Sequence, residues 1–154
     1  MQPHVIFRPA RRDDLPAIVA LLADDPLGRD REMAGAALHP CYAQAYLAIE
    51  RDANQLLAVA EREGRIVGCL QLSFIPGLTR QGTWRGQIEG VRVAGAARGG
   101  GIGHAMLRWA IAECRRRGCG LVQLTSDERR PDAHRFYEAL GFRATHRGYK
   151  LAVD

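Results

Sequence analysis

Four glycines fall within five positions, at Gly99, Gly100, Gly101 and Gly103, between the strand-like Val91-Arg92-Val93 and an amphipathic helical pattern. Glycine loses more conformational entropy on folding than any other residue, so such a cluster needs a geometric cause. The usual cause is a backbone that comes close to a phosphate, with successive N–H groups aimed at it and a helix N-terminus behind them. Gly99, Gly100, Gly101, Ile102, Gly103 and His104 can supply those donors, and Arg98 a charged contact. A glycine loop without a ligand is the rival explanation, and the well-patterned helix directly after the loop counts against it. Two phosphate motifs fail at named positions. A GxxxxGK[ST] loop needs lysine and a hydroxyl where His104 and Ala105 follow Gly103. A dinucleotide fingerprint needs its last glycine where His104 stands, and an acidic residue about 20 positions further on that no strand here provides.

The elements that must position this loop follow from pattern. HVIFRPA (4–10) has the composition of a first strand. A helix is expected over RRDDLPAIVALLADD, capped by Asp13 or Asp14, with Leu15, Ile18, Val19 and Leu22 on one face and Pro26 and Gly28 ending it. Residues 30–53 have a weaker helical pattern divided by Pro40. QLLAVAER and RIVGCLQLSFI flank Glu63-Gly64-Arg65 as a hairpin, followed by a polar loop, GLTRQGTWRG, and a strand, QIEGVRV (87–93). Past the glycines, Met106, Leu107, Ala110, Ile111 and Cys114 form a helical stripe that Gly118 terminates. Arg115, Arg116 and Arg117 then complement that helix's C-terminus. GLVQLTS (120–126) predicts a strand, Pro131 opens a helix over DAHRFYEAL, Gly141 closes it, and FRATHRGYKLAV ends the chain in extended segments. The class is α/β or α+β, with flanking helices on a mostly antiparallel, partly parallel sheet.

Bulk composition narrows the partners. The 154 residues suit a single domain, 1–154, with a real core. No apolar run reaches the roughly 20 residues of a membrane span and no signal-peptide pattern opens the chain, so no membrane partner and a cytoplasmic location are expected. The net charge is +5, and Lys150 is the only lysine among 22 cationic residues. Excess positive charge suits an anionic ligand. The arginines are scattered with no aromatic-interleaved basic stretch, so no nucleic-acid partner is expected. Cys41, Cys69, Cys114 and Cys119 show no CxxC pair and no histidine at zinc spacing, so no metal is expected and reduced buried thiols are.

Arg98-Gly99-Gly100-Gly101-Ile102-Gly103, directly after Val91-Arg92-Val93, resembles the Arg/Gln-x-x-Gly-x-Gly/Ala loop of the GNAT family of N-acetyltransferases. Phe136-Tyr137-Glu138-Ala139-Leu140-Gly141-Phe142 resembles that family's Tyr-x-x-x-Gly-Phe segment. The likeness covers roughly residues 5–152 and is weakest over 24–54. It implies acetyl-CoA as co-substrate, its pyrophosphate on the glycine loop, and a pantetheine arm paired with the backbone of Val91 and Val93. It also implies a sheet splayed between strands 4 and 5 beside a bulge. Gly90 is a candidate for that bulge, or a glycine accommodating a neighbouring side chain.

Acetyl transfer to an amine needs the neutral amine, whereas alkylammonium groups titrate near 10. The resemblance places a base at Glu89, acting directly or through water, with burial expected to tune it; an arginine-paired strand carboxylate is the alternative. Tyr137 matches the family's acid for the departing thiolate, though core packing explains a tyrosine there as well. A strand-4 N–H, that of Val91, would stabilise the oxyanion. Where the family often has asparagine seven residues before the tyrosine, this chain has Arg130. Ser126 or Asp127 can do that polar work, and Arg129, Arg130 or Arg135 can reach a 3′-phosphate, unless they are a solvated charge run. The acceptor expected is a small-molecule primary amine. A protein N-terminus or lysine, or a non-catalytic cofactor-binding role, is the alternative. Trp84, His39, Tyr42 and Tyr46 are candidate acceptor contacts or packing residues, and a homodimer is left open.

Overall fold

The computed structural model describes residues 4–35 and 37–154. By internal contacts the chain forms two compact units, Met1–Gln123 and Leu124–Asp154. The sheet has five strands in the order β1-β2-β3-β4-β5: β1 (Val5–Pro9), β2 (Gln55–Arg62), β3 (Arg65–Ile75), β4 (Arg85–Val93) and β5 (Leu121–Leu124). The first three pairings are antiparallel, and β4 with β5 is parallel. The mixed sheet expected from the alternation of helical and strand patterns is therefore present.

Local chemistry explains the boundaries. Glu63 and Gly64 both take positive φ, 52° and 74°, as a two-residue hairpin turn requires. Asp14 accepts from the Arg11 N–H at 2.7 Å ahead of α1 (Leu15–Ala23). The region expected as a weak helix divided by Pro40 is instead one helix beginning there, α2 (Pro40–Arg51). Proline suits the first turn, where its missing N–H has no intrahelical partner to lose. Its cap is His39, whose Nδ1 accepts from the Cys41 N–H. The polar loop before β4 contains one turn, α3 (Thr79–Gly82), in which Arg80 and Gln81 are left-handed, and β4 starts two residues earlier than the pattern indicated.

The hairpin's two-residue period sorts the core. Val59 and Cys69 face α1 and α2, joining Leu15, Ile18, Leu21 and Tyr46. Ala60 and Gly68 face the opposite way, and a Cβ on Gly68 would stand 3.2 Å from Met106 Sδ. Met106, Leu107, Ala110 and Cys114 are buried on α4 (Ile102–Arg116), whereas Ile111 is only half-buried. Gly86 lets α4 close on β4, since a Cβ there would lie 2.3 Å from Cys114 Sγ. At the helix's end Glu113 holds Arg116 and Arg117, and the Arg117 guanidinium lies 4.3 Å from the Phe74 ring. The arginine run is thus structural.

In the second unit, α5 (Pro131–Ala139) ends at Gly141, φ 95°. Phe136 and Phe142 each meet Tyr137 in a T-shaped contact, at centroid distances of 5.2 and 6.0 Å. Residues 142–154, expected as extended segments, carry neither helix nor paired strand.

Candidate acetyl-transfer site

The second half of β4 departs from regular pairing. Glu89 stands opposite Gln71 and Arg92 opposite Cys69, so Gly90 and Val91 together face the single residue Leu70. That is a bulge on β4, and Gly90 carries it with φ 61°. The buried Cys69 thiol donates to the Gly90 carbonyl at 3.6 Å, and burial pushes this thiol up to about 12, so it stays a protonated donor. The peptide is planar and trans, so tying the Gly90 carbonyl toward β3 turns the Val91 N–H away from β3. An N–H so directed can donate to a carbonyl oxygen as it gains charge, the role expected of Val91.

A second tie fixes the same bulge. Arg92 Nη1 donates to the Val91 carbonyl at 2.9 Å, and its Nε lies 2.8 Å from Asp25 Oδ2. Asp25 Oδ1 in turn accepts the N–H groups of Leu27 and Gly28, both at 2.8 Å. A Cβ at Gly28 would fall 1.9 Å from the Leu22 carbonyl, so only glycine closes this turn. The loop after α1 is thereby clamped to the bulged strand. Sequence reasoning missed Asp25, Arg92 and Cys69, because nothing local marks an ion pair between residues so far apart in the chain.

Beyond the bulge, the Ala94 N–H donates to Val67 at 2.8 Å, and antiparallel alternation then turns the backbone groups of Val93 to the outer side. Arg98 Nε takes the Val93 carbonyl at 3.1 Å. Both carbonyls expected to pair with pantetheine therefore already accept from guanidinium groups, and the outward N–H groups of Val91 and Val93 are the groups suited to receive it.

The glycine loop follows. Gly99 and Gly101 are left-handed, φ 82° and 78°, with nothing within 4 Å of where a Cβ would stand. Gly100 has no such φ, and a Cβ there would make ordinary contact with the Ala97 carbonyl at 3.6 Å. Geometry thus demands two of the three loop glycines. Gly101 is the N-cap of α4 and has no side chain to offer, so helix geometry leaves the N–H groups of Ile102 and Gly103 without intrahelical acceptors. These donors and the helix dipole make a cradle for a diphosphate.

Other expectations change. Glu89 is exposed, so the burial expected to tune it is absent. Its neighbours on β3 and β2 form a polar row in which Gln71 and Ser73 both donate to Gln55 Oε1 at 2.9 Å. Tyr46 is buried, with its hydroxyl on Glu50 and the Ala10 carbonyl, and Tyr42 bonds Glu32 and the Met33 N–H. Both are packing residues, whereas Leu78 and Trp84 before β4 are exposed. Of the four thiols expected to be buried, Cys41 is exposed and Cys119 half-buried. In the second unit, where Ser126 and the half-buried Tyr137 lie, Arg129 pairs with Asp127 at 2.8 Å and Arg135 with Asp132. Those arginines are locally engaged charges.

Residues 16–142 match the model of the acetyltransferase (GNAT) family. The chain belongs to that family. A chain solved from Bacillus halodurans C-125, described as a transcriptional regulator, is 51% identical, with a TM-score of 0.94 over 97% of this chain and 100% of that one. The aminoalkylphosphonate N-acetyltransferase of Salmonella typhimurium is 34% identical over 102 residues, which are 66% of this chain and 66% of the relative. The glucosamine 6-phosphate N-acetyltransferase of Trypanosoma brucei brucei is 42% identical over 88 residues, 57% of this chain and 58% of the relative. The match thus spans less than two thirds of either curated relative.

Proposed function

We propose that the protein transfers an acetyl group from acetyl-CoA to the primary amine of a small molecule that also carries a phosphate or phosphonate group. The carrying observation is the bulge, where Cys69 and Arg92 hold the peptides on either side of Val91 and aim its N–H outward. Gly99, Gly100, Gly101 and the first N–H groups of α4 (Ile102, Gly103, His104) would hold the diphosphate of coenzyme A, with Arg98 beside them. The Val93 N–H, and Ser126 on the second unit, would hold the rest of the donor. Acetyl-CoA supplies the acetyl group already activated as a thioester.

The chain's own residues do the remaining work. Glu89, being exposed, takes the ammonium proton through water, leaving a neutral amine at the end of β4. The Val91 N–H donates to the carbonyl oxygen as it gains charge. Tyr137 gives its phenolic proton to the departing sulfur. The anionic group on the acceptor is supported by two relatives of differing chemistry, an aminoalkylphosphonate and a sugar phosphate enzyme, whose acceptors share an amine and a phosphorus oxyanion.

Thiol release from acetyl-CoA over a panel of amines tests this. Aminoalkylphosphonates and amino sugar phosphates should be turned over well above their uncharged counterparts. Acetylation confined to peptides would replace the small-molecule reading by a protein-modifying one. No turnover with an intact acetyl-CoA thermal shift would leave a non-catalytic binding domain. The shift itself should vanish in Gly101→Val, whose side chain strains the left-handed cap.

A further inference from the structure

Within the first unit the two faces of the sheet are unlike. On β3 and β4, Leu70, Leu72, Phe74 and Ile88 share the face that packs on α4, and all four are buried. The alternate positions, Gln71 and Ser73 with their cross-strand partners Glu89 and Gln87, lie on the face that Cys69 turns toward α1 and α2, and all are polar. Central strands ordinarily place apolar side chains on a covered face, so this row has another cause. Gln71 and Ser73 share Gln55 Oε1, and Gln123 Nε2 donates to Gln87 Oε1 at 2.7 Å. Those bonds fix each amide by one end. The N–H groups of the Gln87 amide and the Gln71 carbonyl stay without a partner among the described residues. Fixed donors and a fixed acceptor side by side are what hydroxyl groups bind.

Arg85 stands at the head of this row, opposite Ile75 on the same face. It is half-buried, and among the described residues its side chain has neither an ion pair nor a hydrogen bond. Arg8 and Arg92, also half-buried on their strands, spend their charge on Asp14 and Glu61 and on Asp25. A charge drawn partly out of water without a counter-ion is unfavourable. The planar guanidinium matches two oxygens of one phosphate. Glu89 lies four residues further along the same face, about 13 Å away at the ~3.3 Å rise of a strand. A cation, an amide row and a carboxylate therefore follow one another along one strand face.

We propose that Arg85 grips the anionic group of the acceptor while Gln87 and Gln71 take hydroxyl groups between it and the amine at Glu89. This rests on the acetyltransferase reading and adds to it the place of the phosphorus oxyanion and the nature of the spacer. The length of the row suits a ring-sized, hydroxylated spacer better than a two-carbon one. The acceptor is then a phosphorylated amino sugar, with its nitrogen toward Val91 and its phosphate toward the start of β4. Arg85 is a binding residue and takes no part in moving protons.

Steady-state kinetics with glucosamine 6-phosphate, glucosamine and 2-aminoethylphosphonate tests it. The wild-type chain should prefer the first of these. Arg85→Met should raise KM for glucosamine 6-phosphate by about 10–100-fold, the worth of charged hydrogen bonds to one anion, with kcat held and glucosamine unaffected. Arg85→Lys keeps the charge and should keep part of the preference for the phosphate. Equal losses on glucosamine and its phosphate in Arg85→Met, or a wild-type preference for 2-aminoethylphosphonate, would overturn the proposal. Calorimetric titration of the CoA-loaded chain with glucosamine 6-phosphate needs no transfer step: wild type should bind, and Arg85→Met should bind more weakly by the same factor. Binding through Arg85 with no amine turned over would defeat the acetyltransferase reading and keep this one. Turnover of amines with KM indifferent to Arg85 would do the reverse.

Discussion

Glu89 and Tyr137 test the chemistry most directly, since each can be changed by one functional group. Glu89→Gln should keep the acetyl-CoA thermal shift and lower turnover by about 10²-fold at neutral pH, the low end for acid–base catalysis, because an exposed carboxylate works through solvent. The loss should shrink as pH rises toward the amine's own titration near 10, where neutral acceptor no longer depends on a base. A pH–rate profile parallel to wild type would make Glu89 a strand carboxylate only. Tyr137→Phe keeps the ring contacts with Phe136 and Phe142, so its melting temperature should hold while kcat falls. The glycine positions show how far single residues were legible. Gly90, Gly99 and Gly101 take the positive φ that glycine favours, so their backbone geometry was open to reading from residue type. Gly100 looked the same and is not required by φ. Cys69 and Asp25 act through partners far along the chain, and no local pattern carries that information.

Among the elements, the contact between α4 and β4 is the tightest, because Gly86 meets Cys114 with no room for a methyl group. Gly86→Ala should destabilise the fold by about 1–3 kcal/mol in denaturant unfolding, the ordinary cost of overpacking a filled core. Cys114→Ala in the same chain should recover much of that, since the colliding atom is the sulfur. Purely additive effects would show that the strand and helix shift apart instead. Amphipathic periodicity made α4 and the β2–β3 hairpin visible, because each buries one face. The region before α2 was misjudged for the opposite reason. Residues 24–35 lack a buried stripe, and their course is set by the Asp25–Arg92 pair and the Gly28 turn rather than by propensity.

At the level of the whole molecule, acid stability should depend on the joint between β1 and α1. Arg8 bonds both Asp14 and Glu61 at 2.7 Å, and this guanidinium first, with the Arg11 N–H, holds the Asp14 carboxyl below its ordinary 3.8. A lowered carboxylate stabilises the fold above its unfolded value and loses that contribution as pH falls through its folded one. Asp14→Asn should therefore cost about 1–3 kcal/mol at pH 7, and the gap to wild type should begin to narrow as pH falls below about 3.8 in melting curves and close only below the lowered folded value. A gap constant with pH would mean that the cost comes from packing. Finally, the spatial order of the strands is also their order along the chain, which bears on the sequence of events in folding. β2, β3 and β4 are joined by a two-residue turn and by residues 76–84, so their pairing closes short loops early. β1 must wait across residues 10–54 and β5 across 94–120. By connection length the centre of the sheet closes first, β5 next and β1 last, so the joint of Arg8 with Asp14 and Glu61 forms only once the rest of the sheet is in place.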